Sequence, residues 1–210
     1  LVTIDALGCQ TDIAATIRQK RGNYCLAVKE NQPTLHAKVS ALLNEGILEG
    51  FAGWEADTHQ TTDGGHGRIE TRTAYVTTEV QHLGSLREQW KDLAAVAVVE
   101  SQRTVQGPEA KTSKTRRYYI LSQALSAQEV QAAVRGHWAV ENGLHYILDV
   151  SYGEDASRIR QRSAGNFSRL RRLTMNLLKQ EKTKKRGIRG KQLNASWDHA
   201  YLLRLLGVPI

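Results

Sequence analysis

The amino-acid sequence predicts an α/β fold, and three features of its 210 residues point to that class. Short apolar strands alternate with amphipathic helices over the first 50 residues. Segments of alternating polarity, rich in β-branched residues, follow, and a long amphipathic helix then leads into a basic, helical C-terminal region. The predicted boundaries are 1–50 and 126–178 for two parts of one α/β core, 51–125 for an antiparallel β insertion, and 179–210 for a basic tail with a short helix.

The first 50 residues predict a parallel βαβα unit. Strands are expected at residues 2–6 and 24–28, and helices at 11–21 and 33–46. The functional crevice of such a sheet lies beyond the carboxyl ends of its strands, where Asp5 and the turn Lys29-Glu30-Asn31-Gln32 fall. The alternative is that Asp5 only caps the following helix or turn.

The middle of the chain predicts antiparallel strands at residues 58–62, 68–77, 93–99 and 116–122, with a short helical piece at 86–90. Turns are expected around Gly64-Gly65-His66-Gly67 and Gly107-Pro108. Because Arg68-Ile69-Glu70 follows the glycines, they indicate a hairpin turn rather than a phosphate-binding loop. A nucleotide cofactor is therefore not indicated.

A long helix is predicted to begin with a capping box formed by Ser126 and Glu129. Its apolar residues recur at helical spacing: Val130, Val134, Trp138, Leu144 and Leu148. A second stripe, of His137, Glu141 and His145, lies beside that face. This stripe is either a polar seam of an amphipathic helix or a site, and Gly136 and Gly143 favour a site because they suggest close backbone approach.

After that helix, the sequence predicts an acidic turn at residues 149–155 and another amphipathic helix with Phe167, Leu170, Leu173 and Leu177 facing inward. Residues 179–191 read as a basic tail that is mobile until it meets a partner. A last short helix is expected around Trp197 to Leu205.

The positive charge of the chain is concentrated in one segment. Residues 156–191 contain thirteen Lys or Arg and one acidic residue, a net charge of +12, whereas the whole chain carries +8. The remainder is therefore acidic, at about −4. A basic block of this kind favours a polyanionic partner such as nucleic acid, although it could be a solvated surface.

The sequence also bears on where in the cell the protein is located and on how much of it this chain represents. No apolar run approaches the roughly 20 residues of a membrane span, so no membrane association is expected. Cys9 and Cys25 stand in apolar contexts, which favours reduced core thiols in the cytoplasm. Because the chain opens with Leu1 on an apolar strand, we expect an N-terminal part to be missing.

Five motifs, in order along nearly the whole chain, resemble the bacterial insertion-sequence transposases of the H-repeat-associated type. They are Val2-Thr3-Ile4-Asp5-Ala6-Leu7-Gly8-Cys9-Gln10, Ala27-Val28-Lys29-Glu30-Asn31-Gln32, His66-Gly67-Arg68-Ile69-Glu70, His137-Trp138-Ala139-Val140-Glu141-Asn142, and Leu148-Asp149-Val150 with Glu154-Asp155. The resemblance implies a DDE transposase with an RNase H-like core, here partial and lacking its first strands. In that family two Asp and one Glu hold two divalent ions, Mg²⁺ or Mn²⁺, which suit hard carboxylate ligands.

By this resemblance Asp5 is the second carboxylate and Glu141 is the third, and the first Asp lies upstream of this sequence. The implied partners are transposon-end and target DNA in the bacterial cytoplasm, with nucleoid association and a homo-oligomer on the DNA. Candidate DNA contacts are Arg158, Arg160, Arg169, Arg172, Lys184, Lys185, Arg186, His66 and Arg68. We expect His137, Asn142 and His145 beside the metal ligands or on the DNA.

Two other functions remain open at this point. One is a non-catalytic, DNA-binding transposase remnant. The other is a zinc hydrolase that uses His137, Glu141 and His145, although these residues do not form the His-Glu-x-x-His arrangement.

Overall fold

The computed structural model describes residues 1–65, 67–105 and 111–208, apart from the side chain of Asn142. The strands are β1 Val2–Ile4, β2 Tyr24–Val28, β3 Ala56–Gly65, β4 Arg68–Thr77, β5 Ala95–Val105 and β6 Lys111–Leu121. The helices are α1 Thr11–Gln19, α2 Pro33–Leu48, α3 Leu86–Gln89, α4 Ala127–Val140, α5 Tyr146–Tyr152, α6 Gln161–Gln180, α7 Ile188–Trp197 and α8 His199–Leu205. The mixed α/β class is as predicted, and the chain divides into two compact units, Leu1–His137 and Trp138–Ile210.

One six-stranded sheet, in the order β1-β2-β6-β5-β4-β3, organises the first unit. β1 and β2 pair in parallel, as predicted, and Thr3 lies opposite Cys25. The remaining pairs are antiparallel, and β6 joins β2 with Cys25 opposite Leu121. The antiparallel strands therefore extend the sheet that carries Asp5 instead of forming a separate one.

Helices cover both faces of this sheet because successive residues of a strand point to opposite sides. On one face Leu26, Val96 and Ile120 pack with Val39 and Leu43 of α2. On the other face the buried residues of α4 pack against the sheet: Ala127, Val130 and Val134 with Ala97, Val99 and Tyr119. The two free cysteines, Cys9 and Cys25, are both buried, as predicted.

The start of α4 confirms the predicted capping box. The Ser126 N–H and hydroxyl each donate to Glu129 Oε2 at 2.8 Å, and the Glu129 N–H donates to Ser126 Oγ at 3.3 Å. Asp57 of β3 adds a cap that the sequence did not reveal, because its Oδ2 accepts the Ala127 N–H at 2.7 Å. The helix continues through a π-helical segment, Glu141–His145, into α5.

The predicted close approach at the helix glycines is wrong for Gly136. No described atom lies within 4 Å of a Cβ built there, and at Gly143 such an atom would meet only Lys179 Nζ at 3.9 Å. The predicted inward position of Trp138 is wrong as well, since that side chain is 36% exposed.

The buried hydrophobic residues described in the second unit are Leu148, Met175, Leu178 and Tyr201. The predicted acidic turn starts later than expected, because α5 runs to Tyr152 and ends on Gly153, whose φ of 60° is left-handed. The predicted inner stripe of α6 is wrong: Phe167, Leu170 and Leu173 are 47%, 53% and 57% exposed.

The prediction of a mobile basic tail at residues 179–191 is also corrected. α6 extends to Gln180, α7 begins at Ile188, and Lys191 is buried. The Lys191 ammonium donates to Leu178 O at 2.9 Å and lies 3.5 Å from Glu181 Oε2. The charge of Lys191 is therefore paired with Glu181 inside the second unit.

In the described part of the chain, no helix combines the length and apolarity needed to cross a lipid bilayer.

Candidate functional site

Asp5 stands at the carboxyl end of β1, where a parallel sheet opens its crevice. It precedes a 3-10 turn, Ala6–Gly8, whose first N–H, that of Ala6, lies close enough to the carboxylate to lower its pKa without forming a capping hydrogen bond. The side chain is 64% exposed. The neighbouring N–H of Ala6 and the ammonium of Lys29 lower the pKa of Asp5, so its carboxylate is ionised at neutral pH.

The turn after β2 lies beside Asp5 and contacts the loop that follows it. Lys29 Nζ lies 3.3 Å from Asp5 Oδ1. The Asn31 amide donates to Ala6 O at 2.6 Å, and the Gln32 amide donates to Cys9 O at 2.9 Å. The loop that follows Asp5 is thus held by side chains of the neighbouring strand end.

The last turn of α4 reaches the same strand. His137 Nδ1 lies 3.2 Å from Thr3 Oγ1, and the charge of His137 is one of the influences that lower the pKa of Asp5. The structure therefore brings His137 and Asp5, two residues selected from sequence, close together. It adds Lys29 and Asn31, which the sequence analysis placed at the crevice without assigning them a role.

Glu141 and His145 belong to the second unit, where they begin and end the π-helical segment. Both residues are exposed. Single π turns inside α-helices often occur at functional sites. Within this unit Lys179 donates to the carbonyl of Gly143, so α6 contacts the segment directly.

Asp149, on α5, has a raised pKa. Desolvation is the main cause, and the nearby carboxylates of Asp155 and Glu154 add to it.

Across residues 1–65, 67–105 and 111–208, there is no group of three or more His, Cys, Asp or Glu side chains that could hold a metal ion.

The candidate DNA contacts differ in their surroundings. Most are exposed: Arg158, Arg160, Arg169, Lys184, Lys185, Arg186 and Arg68. Arg172 is partly buried and lies 3.4 Å from Glu154, so part of its charge is neutralised within the unit. His66 lies outside the described residues, and so does the side chain of Asn142.

The model of the family described as "Transposase DDE domain" matches residues 1–178. The chain belongs to this DDE transposase family. The resemblance inferred from the five motifs is thereby confirmed.

Two relatives of this DDE transposase chain illustrate the match. It is 36% identical to the "Putative transposase YncI" of Escherichia coli O157:H7, over 98% of the chain and 52% of that protein. It is also 36% identical to the "H repeat-associated putative transposase YhhI" of Escherichia coli K12, over 98% of the chain and 54% of that protein. The chain thus spans about half the length of these curated relatives. No solved structure matches it.

Proposed function

We propose that this chain contributes to the catalytic core of an insertion-sequence transposase, which cuts DNA and joins strands with the help of divalent metal ions. The observation that carries the proposal is the setting of Asp5. An exposed, ionised carboxylate stands at the carboxyl end of a parallel strand, in the first of the motifs that resemble the family. The chain's membership of the DDE family supports the same reading.

Asp5 and Glu141 are the proposed metal ligands, within a core of the RNase H-like type. Carboxylate oxygens are the ligands that Mg²⁺ and Mn²⁺ prefer, so the donor chemistry fits. Two bound ions would activate the attacking group and stabilise the leaving oxygen of a phosphodiester. Because two carboxylates balance only half of the charge of two such ions, the complete site needs a further carboxylate from the whole protein.

The chain's own residues have roles in this proposal that do not depend on the ions. The hydrogen bonds of Asn31 and Gln32 keep the Asp5 loop in place. His137, beside Thr3, is positioned near Asp5 or the DNA. The exposed cations of the second unit and Arg68 bind phosphates of transposon-end and target DNA. The protein acts on this DNA as a homo-oligomer, at the nucleoid in the bacterial cytoplasm.

The decisive experiment measures metal-dependent strand cleavage by the full-length gene product. We expect Asp5→Asn and Glu141→Gln each to lower cleavage by at least about 100-fold, the scale of losing one preorganised electrostatic contact in catalysis. Both substitutions remove a charge and keep the side-chain volume, so each variant should still bind DNA and the unfolding temperature should change little. Glu45→Gln, an exposed residue of α2, is the matched control.

Two results would decide for the alternatives. If the unaltered full-length protein binds DNA but never cuts it, the protein is a non-catalytic remnant. If cleavage survives Glu141→Gln while His145→Ala releases tightly bound zinc, the zinc-hydrolase reading is correct.

A further inference from the structure

The loop that carries Asp5 is positioned by the strand beside it. Asn31 Nδ2 donates to Ala6 O at 2.6 Å, and Gln32 Nε2 donates to Cys9 O and to Gln10 Oε1 at 2.9 and 3.3 Å. These contacts lie just after Asp5 and follow directly from the parallel pairing of β1 with β2. The backbone at the end of β1 is thus held independently of any ligand.

Lys29 differs from its neighbours in this turn because it contacts the Asp5 side chain itself. Its ammonium lies 3.3 Å from Asp5 Oδ1, while the Lys29 and Asp5 side chains stay 58% and 64% exposed. An ion pair this exposed contributes little to the free energy of unfolding, so the fold does not explain the lysine. The ammonium occupies space beside a carboxylate oxygen where a cation bound by Asp5 would also lie.

We propose that Lys29 is a positioning residue that exchanges between the Asp5 carboxylate and the DNA backbone. This inference rests on the proposed function, since it takes Asp5 as a metal ligand. Without metal, Lys29 orients and neutralises the carboxylate. When a divalent ion binds Asp5, like-charge repulsion releases the ammonium, and its flexible four-carbon stem lets it contact a phosphate at the same sheet edge.

The two roles predict effects of opposite sign for Lys29→Met, which removes the charge and keeps most of the side chain. Mn²⁺ should bind about fivefold more tightly, because a competing charge is lost. The increase in DNA affinity caused by Mn²⁺ should be smaller than in the unaltered chain, by about the same factor. If the role of Lys29 were purely structural, Lys29→Met would not raise the Mn²⁺ affinity while reducing the increase in DNA affinity that Mn²⁺ causes.

The experiment uses the full-length gene product, which supplies the further carboxylate that the complete metal site needs. EPR of free Mn²⁺ gives the metal affinity, and fluorescence anisotropy of a short labelled duplex, in EDTA and in Mn²⁺, gives the DNA affinity. Lys29→Arg should behave like the unaltered chain, and Lys38→Met, on the exposed side of α2, is the matched control. In an Asp5→Asn background, Lys29→Met should no longer change Mn²⁺ binding.

The outcomes separate the two proposals. If Asp5→Asn leaves Mn²⁺ binding unchanged, the proposed metal site is wrong. If Asp5→Asn abolishes binding but Lys29→Met weakens it or leaves it as it was, only the role of Lys29 is wrong. NMR of the lysine ammonium groups needs no variant: Mg²⁺ should shift the Lys29 signal and not that of Lys38, and an unmoved Lys29 signal would overturn the inference.

Discussion

At the scale of single residues, Glu181 lies in a dense set of polar contacts just after α6. Its carboxylate accepts the Thr183 hydroxyl and N–H, the N–H at 2.5 Å, and the Tyr201 hydroxyl at 3.0 Å. Lys191 Nζ lies 3.5 Å away, and the Glu181 and Lys191 side chains are only 6% and 8% exposed. The hydrogen bonds from Thr183 are the main reason that the pKa of Glu181 falls to about 2.

The lowered pKa predicts how stability depends on pH. Because the pKa of Glu181 is lower in the folded chain than its ordinary value of 4.5, the unfolded chain binds this proton more readily. The stabilisation is therefore complete above about pH 4.5 and is lost as the pH falls towards 2. Thermal unfolding should show a fall in Tm across this window that Glu181→Gln reduces, and the variant should have a lower Tm at neutral pH.

Glu45→Gln again supplies the matched control, since Glu45 is exposed on α2. Lys191→Met should lower the Tm at neutral pH because it leaves the Glu181 carboxylate without its nearby cation. If Glu181→Gln and the unaltered chain have the same acid-unfolding profile, the contacts of Glu181 do not stabilise the fold.

The charged residues described above differ in how far the sequence could predict their surroundings. Asp5 follows from a strand pattern and a motif, both local in sequence. Lys191 could not be distinguished from the other basic residues of its segment, because only its contacts with Leu178 and Glu181 show that it is internal. The sequence placed Lys29 at the crevice directly after β2, but it gave no sign that the Lys29 ammonium contacts the Asp5 side chain.

At the scale of elements, two helix glycines offer a matched comparison. A Cβ at Gly46 of α2 would lie 2.7 Å from Phe51 Cδ1, and Phe51 is stacked on Tyr75. Gly46→Ala should therefore reduce the free energy of unfolding by about 1–3 kcal/mol through overpacking. Gly136→Ala in α4 meets open space among the described residues and should raise it by about 0.5–1 kcal/mol.

Chemical denaturation with an unchanged m-value checks both predictions. If both alanines stabilise the chain equally, the packing of Phe51 against α2 is looser than described. If Gly136→Ala destabilises it, another surface approaches α4 closely at that glycine, as the sequence suggested.

The elements themselves were largely predictable, whereas the buried face of α6 was not. Runs of β-branched residues and the capping box identify β4 and the start of α4 correctly. On α6 an apolar stripe predicted the inner face, but the buried side contains Met175 and Leu178 together with a partly buried Arg171. An arginine can face inward there because its stem packs while its guanidinium lies 3.6 Å from Glu154, a tertiary pairing that periodicity does not encode.

At the scale of the whole molecule, charge separates the chain into an acidic part and a basic part. The exposed cations at residues 184–186 lie between α6 and α7, close to the internal Lys191. Duplex DNA binding should therefore weaken steeply with salt. With roughly five phosphate contacts, the slope of log affinity against log salt is expected near −4 to −5.

Replacing Lys184, Lys185 and Arg186 by Ala should make that slope shallower by about 2 to 3, since each phosphate contact contributes about 0.9. A triple replacement of Lys20, Lys38 and Arg87, exposed cations of the first unit, is the control with equal charge loss. Equal effects of the two triple variants would mean that only net charge matters and that residues 184–186 do not contact DNA.

The pairing of β2 with β6 also has a consequence for how the polypeptide folds. The Tyr24 N–H donates to Ser122 Oγ at 2.9 Å across 98 residues of sequence, whereas β3 to β6 pair with their neighbours along the chain. Closing so long a loop costs entropy before any contact rewards it, and non-local pairing slows folding. The β3–β6 meander should therefore acquire hydrogen-exchange protection first. β2 and then β1 would dock onto it later, which makes the edge that carries Asp5 the last part of the sheet to assemble.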